Sequence, residues 1–171
     1  MTKRTIFVTV GTTRFDPLIE AVTRADSLQW MKRNGYTHLV IQYGKGREPS
    51  IPNGAPLAVR TYSFQPSLEQ DMREADMIVS HAGAGTVMEA LQYQKRMVVV
   101  INTALMDNHQ TELAHAMAKR GHLFVVDNPS DLGDLNTWNA FDAFVPIPHQ
   151  GGENDFPLLL NEHMGVTNKK A

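Results

Sequence analysis

Cysteine is absent from all 171 residues. That removes disulfides, thiolate metal sites and cysteine nucleophiles together, and it accords with a reducing compartment. Long apolar runs are missing too. The longest, 97–101, is strand-sized, whereas a membrane-spanning helix needs about 20 apolar residues. The apolar stretch within 1–10 is likewise too short for a signal peptide, so no direct membrane insertion is expected. An excess of either charge is also lacking: 16 Lys and Arg against 18 Asp and Glu leave a net charge of −2. No basic field is therefore expected to hold nucleic acid or an acidic membrane face. No Asp-x-Asp stands beside a candidate ligand loop and the histidines are scattered, so no metal is expected.

What remains is an ordinary globular composition, 42% apolar and 20% charged, in a chain long enough for one cored domain. Short β-branched runs at 5–10, 38–42, 57–62, 77–80, 98–102 and 123–126 read as strands. Their apolar residues are continuous rather than alternating, which suits a parallel sheet covered on both faces. Helix signals fall between them. Asp16-Pro17 reads as an N-cap with proline at the first helical position, leading into Leu18, Ile19 and Val22. Ser67 can cap a helix through Leu68 and Met72. Asp107 and Gln110 have capping-box spacing, and Lys119-Arg120-Gly121 closes that helix with cations and a C′ glycine. This alternation predicts an α/β, doubly wound, mainly parallel sheet of Rossmann-like type. The pattern is strong over 1–127. The extension 128–171 shows a short helix near 130–138, a linker near 146–154 and a terminal helix over 156–164, belonging to the same domain or to a partner interface.

Ligands of such sheets sit at the carboxyl ends of the strands. The loop Gly11-Thr12-Thr13-Arg14-Phe15-Asp16 follows the first strand; it reads either as a phosphate-binding turn or as a plain turn with its hydroxyls capping the helix. Gln42-Tyr43-Gly44-Lys45-Gly46 reads as a mobile turn carrying an ammonium to an anion, or as an exposed turn with a solvated lysine. Ser80-His81-Ala82-Gly83-Ala84-Gly85-Thr86-Val87-Met88-Glu89 is the strongest signal. Small residues opening a helix straight after a strand expose several N–H groups to a diphosphate, and Glu89, one turn on, can reach ribose hydroxyls. The alternative is close helix–strand packing with Glu89 as a surface acid. Neither loop is a dinucleotide fingerprint, since Thr13, Asp16 and Met88 stand where glycines are needed. Asn108, His109 and Gln110 can hydrogen-bond sugar hydroxyls, or Gln110 can be used in the cap.

In this order, the segments 7–13, Phe15-Asp16, 42–46, Ala75-Asp76, 80–85, 98–102, 108–110 and 121–124 resemble one family. It is the cytosolic catalytic subunit of the two-part UDP-N-acetylglucosamine transferase that extends N-acetylglucosaminyl-diphosphodolichol at the endoplasmic reticulum. The likeness runs from about Ile6 to Phe124. A more distant likeness is to the C-terminal half of the bacterial transferase that glycosylates the peptidoglycan lipid precursor, a GT-B enzyme. The resemblance implies a single donor-binding half of a GT-B glycosyltransferase, with UDP-N-acetylglucosamine as donor substrate and no cofactor. It maps Gly44, Lys45 and Gly46, the stretch Gly83, Ala84, Gly85 and Thr86, and Gln110 onto donor contacts, with Glu89 at the ribose and Phe64-Gln65 near the uracil. It implies a separate membrane-anchored, acceptor-binding subunit that recruits the chain to the cytosolic face of the endoplasmic reticulum, and a lipid-diphosphate acceptor. The reaction implied is inverting and metal-independent. No general base is assigned; His81 and His109 are the histidines of the ligand loops, and a histidine at a strand end more often packs or hydrogen-bonds. Two other readings stay open: the small subunit of a bacterial exopolysaccharide transferase pair, and a nucleotide-binding module without turnover.

Overall fold

Strand β1 (Thr5–Thr9) is buried along its whole length, as a continuous β-branched run in a covered sheet must be. The computed structural model describes residues 2–102 and 108–148. After β1 come helices α1 (Asp16–Thr23) and α2 (Ala25–Arg33), then β2 (His38–Gln42) and β3 (Ala58–Tyr62). Helix α3 (Glu69–Glu74), β4 (Met77–His81), α4 (Ala84–Gln92), β5 (Arg96–Val100), α5 (Asn108–Lys119) and β6 (Phe124–Val126) follow. A short 3-10 helix (Pro129–Gly133) and α6 (Leu135–Ala143) end the described chain.

The six strands of the described residues form one sheet in the order β3-β2-β1-β4-β5-β6, and every adjacent pair is parallel. Side chains of successive strand residues leave by opposite faces. Ile6, Val8, Leu39, Ile41, Val79 and Val98 pack with α1, α2 and α6 on one face. Phe7, Val40, Ile78, Met97 and Val99 pack with α4 and α5 on the other. The winding reverses between β1 and β4, and all six carboxyl ends lie along one edge.

Three local readings need correction. Asp16 does not cap α1: Phe15 holds the N-cap position and Asp16 is the first helical residue. Its carboxylate instead accepts the Arg47 N–H (3.0 Å) and pairs with Arg14 (2.7 Å). The Arg47 backbone donor, with Arg14 assisting, holds its pKa below the usual 3.8. Helix α2 was not anticipated, because Thr23-Arg24-Ala25 carries no glycine or proline to mark a break. Arg24 is extended there, and buried Ser27 donates to the Ala21 carbonyl across the corner (2.8 Å). The helix expected at 130–138 is two elements, each with its own side-chain cap: Asn128 accepts the Ser130 N–H (3.0 Å) and Asp134 the Asn136 N–H (2.9 Å). Gly121 closes α5 as expected, at φ 80°, with Gly121 N–H donating to Ala118 and His122 N–H to Met117, a Schellman arrangement. The proposed Asp107 cap and the 156–164 helix lie outside the described residues.

Candidate functional site

Gly11 and Gly83 each lie two residues beyond the neighbouring strands β1 and β4, at the point where the sheet reverses, and His81 fills the space between them. A Cβ on Gly11 (φ 61°) would stand 2.9 Å from His81 Cε1, and one on Gly83 would overlap the ring. Glycine is required at both positions by this close approach. The imidazole is 9% exposed and its Nδ1 has no hydrogen-bond partner among the described residues. Burial lowers its pKa from 6.5, against a weaker opposing pull from the Thr9 backbone, so the ring is neutral at neutral pH.

A cleft of about 430 Å³ opens over this pair. Gly11, Thr12 and Thr13 form one wall, held by the Thr13 hydroxyl and N–H, both donating to the Val10 carbonyl (2.8 and 3.2 Å). Gly83, Gly85 and Thr86 form the next, at the start of α4. That helix has no side-chain cap, and the N–H groups of Ala84, Gly85 and Thr86 meet no acceptor among the described residues. Unpaired donors and the positive helix end make this wall attractive to an anion. Phe64, 49% exposed, with Gln65 and Leu68 faces them from the β3–α3 loop, and Gln110 of α5 completes the lining.

Several expected site residues stand apart. Gly44, Lys45 and Gly46 do not line the cleft, and backbone hydrogen bonds join their turn to the neighbouring loops. Lys45 N–H donates to the Thr13 carbonyl (3.0 Å), Gly44 N–H to Ser63 (3.2 Å) and Gly46 N–H to Tyr43 (3.2 Å). A Cβ on Gly44 would overlap the Thr13 carbonyl and one on Gly46 the Asp16 carboxylate, so the two glycines seat this turn beneath the first loop. Lys45 is exposed beside it. Ala84 and Glu89 lie on α4 outside the lining, both half-buried. Asn108 and His109 open α5; their side chains lie outside the described positions.

The sequence reading missed Gln42, which ends β2, is 1% exposed and lines the cleft. The available signal was an amide closing an apolar strand: buried there, it must find several partners.

Residues 5–133 match the glycosyltransferase family 28 C-terminal domain. Over 122 residues the chain is 48% identical to the UDP-N-acetylglucosamine transferase subunit ALG13 of Homo sapiens, covering 70% of this chain and 11% of that protein. It is 32% identical to the subunit of that name from Yarrowia lipolytica over 153 residues, covering 85% and 78%. The chain thus spans about a tenth of the human relative and most of the yeast one. Its fold is similar to the NMR solution structure of ALG13, with TM-score 0.67, 20% identity and 96% of each chain covered. It is also similar to the crystal structure of Acinetobacter baumannii MurG, with TM-score 0.61, 22% identity, and 81% of this chain and 42% of that chain covered. A family match over most of its length and relatives that share one name agree: the chain belongs to the glycosyltransferase family 28 C-terminal-domain family, among the ALG13 UDP-N-acetylglucosamine transferase subunits.

Proposed function

We propose that this chain is the donor-binding half of a split transferase that moves N-acetylglucosamine from its UDP derivative to N-acetylglucosaminyl-diphosphodolichol. The carrying observation is the cleft at the β1/β4 reversal, where the uncapped start of α4 meets the Gly11 loop beside a neutral buried histidine. In this reading the diphosphate lies on the N–H groups of Gly83, Ala84, Gly85 and Thr86, and uracil against Phe64 and Gln65. Gln110 meets the sugar, with Asn108 and His109, and Glu89 closes over the ribose. Lys45 adds charge from the rim. The acceptor hydroxyl attacks C1, the C1–O bond to the diphosphate breaks with inversion, and the hydroxyl proton passes to a base on the partner. Donors fixed in advance at the departing diphosphate are the domain's contribution to rate, with no metal required. The acceptor half is a membrane-anchored subunit, which brings the chain to the cytosolic face of the endoplasmic reticulum. Among the described residues no helix is long and apolar enough to cross a membrane.

The test is transfer to N-acetylglucosaminyl-diphosphodolichol by the full chain, with and without its co-expressed membrane subunit, from UDP-N-acetylglucosamine, UDP-glucose and UDP-galactose. Transfer of N-acetylglucosamine only when both are present is expected. Turnover by the chain alone overturns the split-enzyme reading. Preference for galactose moves it to an exopolysaccharide pair, and UDP binding without any transfer leaves a nucleotide-binding module.

A further inference from the structure

Gln42 holds both ends of one residue in the cleft wall. Its Oε1 accepts the Thr9 hydroxyl (2.5 Å) and the Gly11 N–H (2.9 Å), and its Nε2 donates to the carbonyls of Gly11 and Ser63 (2.7 Å each). The amide has one orientation that satisfies these groups, since donors face one side and carbonyls the other. Three strand ends are thereby joined: β1 through Thr9 and Gly11, β2 through Gln42 itself, and the exit of β3 through Ser63.

The consequence lies in the peptide that links Gly11 to Thr12. A trans peptide is planar, and its C=O and N–H point in opposite directions. With the Gly11 oxygen drawn toward Gln42, the Thr12 N–H must point away from it. Thr12 lines the cleft, and its N–H meets no acceptor among the described residues. A glycine at φ 61° can let this peptide rotate; rotated, it would set a carbonyl oxygen against an anion where a donor now stands. We infer that Gln42 is a positioning residue, which locks the 11–12 peptide so that the Thr12 N–H is presented to a phosphate in the cleft. Only a side chain carrying both an acceptor and two N–H donors at this reach satisfies the arrangement. Glutamate lacks the donors, and an aliphatic chain lacks both.

This rests on the diphosphate-binding reading of the cleft, and the experiment separates the two. UDP and uridine are titrated calorimetrically into the full chain and into Gln42→Met. Loss of about tenfold or more in UDP affinity, the scale of one charge-assisted hydrogen bond, with uridine affinity changed by less than about twofold, is expected. Equal weakening of both ligands marks a generally damaged cleft and overturns the positioning role, as does unchanged UDP binding by a folded variant. Wild-type protein binding UDP no tighter than uridine sinks the diphosphate reading itself, whatever the variant does. Should Gln42→Met not fold, the wild-type Thr12 amide resonance decides: it shifts at saturating UDP and stays in place at saturating uridine. A Thr12 amide indifferent to UDP overturns the inference.

Discussion

At the scale of single residues, His81 shows how burial can set a protonation state against the opposing pull of a backbone group. Among the described residues no carboxylate compensates it and its Nδ1 meets no partner, so charging the ring in place costs desolvation. The folded pKa lies below the unfolded value of 6.5. Below that pH the unfolded chain binds a proton that the folded chain refuses. Stability from this group is therefore complete above about pH 6.5 and is lost as pH falls toward the folded pKa. The melting temperature should drop between about pH 7.5 and about pH 5.5, and His81→Asn should flatten that drop even if it lowers the whole curve. Asp16 does not blur the window, because its own contribution is lost only below its ordinary 3.8. Equal slopes for the two proteins would show that His81 charges freely in the fold. Residue type announced some of this site and not the rest. Gly11 and Gly83 stood out because small residues after strands are conspicuous, whereas Gln42 looked like an ordinary polar residue at a strand end. Its role depends on Ser63, which only tertiary pairing brings beside it.

Elements were the most legible level, and the reason is visible strand by strand. β2 was expected at 38–42 and is found as His38–Gln42, since a parallel central strand must be apolar on both faces and polar flanks end it. β5 was expected at 98–102 but begins at Arg96; Arg96 is held there by Asp142 of α6 at 3.4 Å, a contact no local window contains. The α1/α2 break was invisible for the same kind of reason, depending on a buried Ser27 hydroxyl rather than on a helix-breaking residue. Helix α4 carries the sharpest element-scale prediction. Glu89 lies three residues beyond Thr86 and four beyond Gly85, so it shares their face of the helix. If it closes on the ribose, Glu89→Gln keeps the size and one acceptor oxygen while losing the charge. UDP-sugar affinity, measured with the proposed membrane subunit present, should fall about ten- to a hundred-fold, with helix propensity nearly unchanged. A half-buried acid that merely packs would leave donor affinity within about twofold of wild type, and that result would remove Glu89 from the site.

For the whole molecule, the question is what holds the sheet face opposite α4 and α5 shut. Helices α1 and α2 do not cover it alone. The chain returns after β6, and Leu132, Trp138 and Phe141 enter the same core with no exposure. Trp138 packs against Trp30 of α2 at 5.3 Å and against Phe141 at 5.5 Å, and its Nε1 donates to the Leu132 carbonyl (2.9 Å). Phe141 meets Phe124 of β6 edge-on at 4.8 Å, and Trp30 Nε1 donates to Asn139 (2.8 Å). An aromatic cluster therefore ties residues far apart in sequence, which is why the weak pattern beyond 127 concealed it: one tryptophan and one phenylalanine in nine helical residues give little periodicity. Trp138→Ala leaves a large hole among rigid rings and an orphaned Leu132 carbonyl, and should cost about 3–5 kcal/mol in urea unfolding. Because the cluster belongs to the core that backs β1, the loss should appear in one cooperative transition, with near- and far-ultraviolet dichroism coinciding. UDP affinity at a temperature where the variant is still folded should stay near wild type, since the cleft is built at the strand ends. A cost below about 1 kcal/mol, or a separate early transition confined to the tryptophan signal, would mean that 129–143 is an appendage laid on a domain complete without it.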